Sequence, residues 1–355
     1  MSEENFIEVA EKVKNALAGA ASTTGGTMLP VETANEIIEI VYERNFMRGL
    51  FPSMPMSRKQ LNVPSLTASV SFHGHTLADT DAGNAPAESR PTTNEITLEM
   101  KTMIANIPVG NYLIAYGVEG LLAVIRDDIA SRLAFNESSL MLNGDVTTSG
   151  TAMADNINGA YAASGANTNL SGVSATQNDY LLLLDGLRKK AGKAVSVSGA
   201  FTLVHLRTAI SELGVFAENR DDLALIVPRQ VEVALLGLTE LQTVDKYGPS
   251  ATILSGEVGK IYGVRVFATS AIPTNLNWTG NFTATGSGVV QNKTVCILLN
   301  TRSPMIGNST IADRRFSIDF HDEPARDRFL LIPRQDIAFG VRYADAICKM
   351  HGVNV

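Results

Sequence analysis

One stretch, "GVEGLLAVIRDDIASRLAFNESSLMLNGD", constrains this chain more than any other. Val118, Leu122, Ile125, Ile129, Leu133 and Leu140 recur close to the helical period. The spacing predicts one helix over 118–143, about 26 residues or roughly 39 Å at the standard rise. Such a helix is about twice the usual globular length. It is a single amphipathic stretch without sustained a/d heptads, which argues against a coiled coil and for a strut. Gly144 stands where a left-handed residue commonly closes a helix.

What precedes the strut reads as two protruding pieces. Phe6, Val9, Ala10, Val13 and Leu17 recur at helical spacing, and "GAASTTGGTMLP" follows as a small-residue linker. A second helical stretch carries Ile37, Ile38 and Val41. A short amphipathic helix is marginal alone, so this arm is expected to lie on something else. Next, "KQLNVPSL", "SVSFHGHT" and "EITLEMKTMIANIPVG" are strand-like, and "LADTDAGNAPAESRPTTN" between the last two is made of turn formers. Two strands with a long polar tip describe an extended hairpin, which is barely stable alone in water.

After the strut, a small polar loop leads into alternating helices ("YLLLLDGLRKKAG", "RTAISELG", "RQVEVALLGL") and strands ("ALIVP", "GVRVFAT", "KTVCILLN", "RFSIDFH", "RFLLIPRQDIAFGVRY"). Mixed order without a βαβ rhythm indicates an α+β fold. The chain has 355 residues, enough to bury a proper core.

Composition removes several function classes. Net charge is -7 and no lysine- or arginine-rich run occurs, so the footprint of a nucleic-acid reader is missing. Cys296 and Cys348 are the only cysteines, which fits a reducing compartment and excludes a Cys-rich zinc framework. No apolar run approaches a membrane span, and the acidic start is unlike a signal peptide. A soluble protein made in a cytoplasm is the expectation.

Catalytic templates fail one by one. "GEVGKIYGVRV", from Gly256 to Val266, pairs glycines with a lysine as a phosphate loop does. Ile261 stands where a P-loop needs its hydroxyl, Leu254 stands where it needs its first glycine, and an alternating strand follows instead of a helix. Gly256, Gly259 and Gly263 therefore read as a turn that feeds a strand. His73 and His75 share a strand face but have no third ligand nearby in sequence. "DTDAGN" at Asp79 lacks the glycine and the terminal glutamate of a calcium loop. "DFHDEPARDRF" (Asp319 to Phe329) carries both signs of charge and reads as an ion-pair network. No catalytic, cofactor or metal residues emerge.

The order of parts resembles the major capsid proteins of tailed bacteriophages, whose fold is named for a Hong Kong phage and shared with encapsulins. The long helix ends in Leu142, Asn143, Gly144 and Asp145, like the family's L-N-G-D/E. Gly259, Ile261, Gly263 and Val266 loosely match its turn into an axial-domain strand, with Arg265 where proline is common. Arg328, Leu331, Pro333, Ala338 and Phe339 approximate its late pattern, with extra residues before the Ala-Phe pair.

The resemblance implies an N-terminal arm over 1–54 and an E-loop hairpin over 55–112. It also implies a peripheral P-domain over 113–200, an axial A-domain over 201–300, P-domain return strands over 301–335, and an A-domain segment over 336–355. It implies a shell subunit, assembled in a bacterial cytoplasm, that meets many copies of itself as pentamers and hexamers. Contacts would involve Phe6, Val13 and Leu17 of the arm, Phe72 of the hairpin, and Asp319, Glu323, Arg326 and Arg328. Some two dozen residues precede the family-like part, so a separate scaffolding protein is implied, with a portal and a decoration protein as further partners. Double-stranded DNA would be enclosed without specific binding. Neither Lys59 nor Lys101 can be placed in the covalent crosslink that some members form, so none is expected. The nearest alternative is an encapsulin compartment, for which "ENFIEVAEKVKNAL" would be the cargo-docking helix; a hydrolase or metal enzyme is the more distant one.

Overall fold

The computed structural model describes residues 46–74, 87–110, 121–147, 156–158, 180–237, 259–282, 292–310, 314–319 and 327–355. Two six-stranded sheets and a separate two-stranded ribbon make up its β structure. A short helix α1 (Met47–Leu50) leads into β1 (Ser53–Met56). The ribbon is β2 (Gln60–Ala68) against β3 (Thr92–Glu99), antiparallel from Gln60↔Glu99 outward.

The sequence reading ran "EITLEMKTMIANIPVG" as one strand, and the chain divides it. β4 (Lys101–Ile104) and β5 (Ile107–Gly110) leave the ribbon at Met100 and pair with another strand altogether. Residues 69–74, expected to extend the hairpin's first strand, carry no ladder.

The strut is α2 (Leu121–Asn143), which starts no earlier than 121 among the described residues. Its environment changes along its length. Ile125 and Ile129 pack on Val109, Phe329 and Leu331 of the first sheet. From Glu137 to Asp145 every residue is buried, whatever face it occupies. Here the helix ceases to be a surface strut and becomes part of the main core.

The expected helix "YLLLLDGLRKKAG" breaks into a 3-10 turn at Tyr180–Leu182 and α3 (Leu187–Lys190). The cause is packing. The Gly186 N–H donates to the Gly144 carbonyl at 2.8 Å, and a Cβ on Gly186 would lie 2.7 Å from the Gly144 nitrogen. Docking the chain onto the end of α2 takes precedence over continuing a helix through Asp185 and Gly186.

The remaining elements are β6 (Lys193–Gly199), α4 (Leu203–Leu213), β7 (Leu223–Pro228), α5 (Arg229–Leu236), β8 (Lys260–Ile261), β9 (Val264–Thr269) and β10 (Lys293–Asn300). They are followed by β11 (Pro304–Ser309), β12 (Arg314–Asp319), β13 (Arg328–Val341) and β14 (Ile347–Asn354). In the first sheet β13 is the long spine. It pairs with β11 and β12 along one edge and with β4 and β5 along the other, while β1 adds parallel to β11. The second sheet runs β6-β14-β10-β7-β9-β8.

Strand pairing therefore draws its lines away from residues 200 and 336. β6 belongs to the second sheet beside β14, and residues 336–341 stay in the first sheet before the chain crosses at 342–346.

β7 is buried on both faces, which explains its unbroken apolar run "LALIVP". Ala224 and Ile226 face the cluster shared with Leu140, Met141 and Leu142. Leu223, Leu225 and Val227 face α4, whose Leu206, Ala209 and Leu213 fall at helical spacing. Among the described residues no helix is long and apolar enough to cross a membrane.

Candidate assembly surfaces

The hairpin is anchored at one end and loses its cover along its length. Along β3, Leu98 is fully buried, Ile96 half-buried and Asn94 exposed. Leu61 and Val63 share the inner face with Ile96 and Leu98, as the period of two requires. Beyond the anchor, Leu66 and Val70 are exposed and Phe72 is 96% exposed. Burying one such side chain is worth about 1.5–3 kcal/mol. Within the single chain that energy is unused.

At the hairpin base a groove of about 590 Å³ lies between β3, β13 and the loop after Tyr180. Leu182, Leu183, Ile96 and Phe339 line it. Four of its charges pair with one another: Lys190 with Asp185 at 3.0 Å, and Lys101 with Glu99 at 2.8 Å. Lys101, by hydrogen bond and charge, holds the Glu99 carboxyl below the usual carboxylate range. Both expected non-crosslinking lysines, Lys59 and Lys101, lean on this glutamate.

Gly144 occupies the position the sequence reading gave it, for another reason. Its φ is not left-handed; instead a Cβ there would lie 2.2 Å from the Leu184 carbonyl and 2.7 Å from that of Leu140. Close backbone approach, not turn geometry, requires glycine.

Next to it, Asp145 is fully buried and accepts from Ile157 N–H at 2.8 Å, Thr147 N–H at 3.0 Å and the Thr147 hydroxyl at 2.6 Å. Lys189 stands 3.1 Å away. Burial alone would push this carboxyl up, but the four donors outweigh it and hold it below the ordinary aspartate range. A carboxyl held low contributes stability that is complete above its unfolded-state pKa and disappears as pH falls through the folded one. Urea midpoints of the parent should therefore fall below about pH 4. Asp145→Asn should be less stable at neutral pH and lose that share of the acid sensitivity.

Arg188 is only 2% exposed. Its guanidinium donates to Asn143 Oδ1 at 2.8 Å, the Gly280 carbonyl at 2.9 Å and Asn158 Oδ1 at 3.4 Å. The Asn143 and Asn158 amides donate in turn to the Ala271 and Asn143 carbonyls. One buried network thus ties the end of α2 to three loops.

β9 opens on a two-residue turn at Tyr262 and Gly263. Ile261 pairs Val264, and both central residues have positive φ, 51° at Tyr262 and 82° at Gly263. That is the signature of a type I′ hairpin. Arg220 donates to the Tyr262 carbonyl at 2.9 Å, and Lys260 pairs Asp221 at 3.1 Å, so the lysine is a surface charge. Gly259 has neither positive φ nor a crowded Cβ position, so glycine is not required there. Gly256 lies outside the described residues. Gly263→Val should cost about 1–3 kcal/mol in urea unfolding, whereas Gly259→Ala should be nearly neutral.

Of the expected contact residues, Phe72 is bare, Asp319 ends β12 and Arg328 begins β13 at the first sheet's far end. Phe6, Val13, Leu17, Glu323 and Arg326 lie outside the described residues, as does His75. Among the described residues no group of three or more His, Cys, Asp or Glu could hold a metal. Burial pushes the Cys348 thiol up to about 12 and raises Cys296 further, so neither is a poised nucleophile.

The family model described as "Phage capsid family" matches residues 25–285. A major capsid protein of Klebsiella oxytoca phage phiKO2 is 26% identical over 138 residues, which are 39% of this chain and 31% of that protein. Among solved structures, the capsid of a native GTA particle superposes with a TM-score of 0.60 at 15% identity, covering 95% of this chain and 100% of the other. Gordonia phage Cozz gives 0.58 at 15% identity, covering 94% and 96%. The capsid of cyanophage P-SCSP1u gives 0.57 at 14% identity, covering 96% and 98%.

Proposed function

Because the chain belongs to the phage capsid family, we propose that it is the major capsid protein of a tailed bacteriophage, the repeated subunit of the icosahedral shell around the genome. The observation that carries this is the ribbon β2–β3, paired from Gln60↔Glu99 to Ala68↔Thr92 yet with Leu66 exposed and Phe72, just beyond β2, almost wholly exposed. Hairpin and arm are read as overlapping neighbouring copies, so part of the burial that stabilises each subunit comes from its neighbours.

In this reading α2 with the first sheet is the P-domain, and the second sheet with α4 and α5 is the A-domain meeting its like at five- and six-fold positions. Scaffolding is supplied by a separate protein, and portal and decoration proteins complete the particle in the bacterial cytoplasm. The net charge of -7 keeps the shell from gripping the DNA it encloses. The work of the chain is geometric rather than catalytic.

The test is electron microscopy of the overexpressed chain, with and without a co-expressed scaffold. Closed particles with five-fold vertices are expected. A monodisperse folded monomer under every condition would overturn the reading.

A further inference from the structure

Every free strand edge among the described residues is guarded except one. β12 carries Arg314, Arg315 and Asp319, and the short strands β1 and β5 hold Pro55 and Pro108. β4 is equally short and opens on Lys101, and β8 has two residues, one of them Lys260. The ribbon has Pro64 on β2 and Glu95 and Glu99 on β3. Short length, proline and charge are the devices by which an edge avoids pairing with another chain.

β6 lacks all three. It has seven residues, "KAVSVSG", no proline, and a single charge at its first position. Among the described residues only β14 pairs with it, so one side of its backbone has no ladder. The Val197 carbonyl is turned to β14, since a Cβ on Gly352 would lie 2.8 Å from it. Backbone groups alternate along a strand, so those of Ala194, Ser196 and Ser198 point to the free edge.

The same chain exposes a strand without a partner. In residues 69–74, Val70 and Phe72 alternate with serines, are 45% and 96% exposed, and carry no ladder. One hydrogen bond is described there, from Ser71 N–H to Ser89 Oγ at 2.6 Å. His73 is the one titratable side chain of this stretch and Lys193 the one charge of β6, so no row of like charges opposes their pairing. We propose that the free edge of β6 accepts residues 69–74 of a second copy as an added strand. Main-chain hydrogen bonds supply the affinity, and alternate side chains set the register. Edge and strand are different surfaces of one subunit, so the contact is head-to-tail and can close copies into a ring. The inference rests on the capsid reading, which supplies the neighbouring copies.

Disulfide trapping between two full-length chains tests it. Ser196→Cys supplies the edge and is mixed in turn with Ser69→Cys, Val70→Cys and Ser71→Cys; Cys296 and Cys348 are buried and take no part. Diamide oxidation followed by non-reducing electrophoresis reads the crosslinked dimer. Side chains alternate along a strand, so Ser69→Cys and Ser71→Cys should agree and differ from Val70→Cys by about tenfold in yield. Ala194→Pro removes an outward N–H, leaves the β14 ladder intact and should abolish the crosslink. If urea unfolding reveals a damaged fold in that variant, Ala194→Lys guards the edge from the same exposed position. No crosslink at any position, or equal yields at all three, would overturn the pairing. Alternating crosslinks in a chain that never forms particles would sustain it and sink the capsid reading; particles without crosslinks would do the reverse.

Discussion

Replacing Arg188 by methionine should lower the stability of the unassembled chain by about 3–5 kcal/mol, the largest effect expected of any single change inside the fold. The guanidinium holds two hydrogen bonds of 2.8 and 2.9 Å and a longer one of 3.4 Å, all to buried acceptors. Methionine fills most of the volume but donates nothing. It leaves Asn143 Oδ1 and the Gly280 carbonyl without the donor that faces them, and each orphaned buried acceptor costs about 1–3 kcal/mol.

A partial offset comes from removing a buried charge. Burial, Arg188 and Lys189 together hold the Lys349 ammonium below its ordinary pKa, so losing Arg188 relieves that repulsion. Arg188→Lys should recover only part of the loss, because one ammonium cannot span acceptors at the end of α2 and on two separate loops as the planar fork does. Urea midpoints of parent, Arg188→Met and Arg188→Lys decide the matter. A methionine variant within about 0.5 kcal/mol of the parent would mean that the network does not hold the loops to the helix end.

Arg188 also marks the limit of what could be read from the sequence. The elements with their own periodic signal were legible: α2, β7, β9, β10 and β13 all lie where apolar spacing put them. A turn feeding β9 was expected from three glycines, and of these Gly263 has the positive φ that only a few residue types tolerate. β6 and β14 were missed although they sit together inside the second sheet. "KAVSVSG" does alternate, with Val195 and Val197 inward, so its signal was present but short. "ICKMHGVN" is interrupted by Lys349, His351 and Gly352, and only its neighbours on both sides make it a strand.

The network at the end of α2 was invisible for a stronger reason. "LRKK" looks like the exposed end of a helix, and nothing local distinguishes Arg188, which is buried, from Lys190, which is half exposed. Burial of one and not the other follows from the break at Gly186, and that break follows from the contact with Gly144, 42 residues earlier in the sequence. Gly144, expected as a left-handed closing residue, is instead crowded by the Leu184 and Leu140 carbonyls. Turn chemistry is written in adjacent residues; close approach is written in pairs.

Phe72→Asp should leave the subunit folded and sharply reduce particle formation. The side chain is 96% exposed, so its loss should change the stability of the isolated chain by no more than about 0.5 kcal/mol. If the tip is covered by another copy, each contact loses about 2–3 kcal/mol of burial, roughly 30- to 150-fold in that contact's equilibrium constant. A closed shell repeats the contact at every subunit, so even a modest loss per contact empties the assembled fraction at working concentrations. Phe72→Leu keeps most of the apolar area and should assemble. The comparison is read by sedimentation of the three chains beside their urea midpoints. Particles from Phe72→Asp at parental yield would place the tip in solvent, and the ribbon would then need another reason to stand clear of its own subunit.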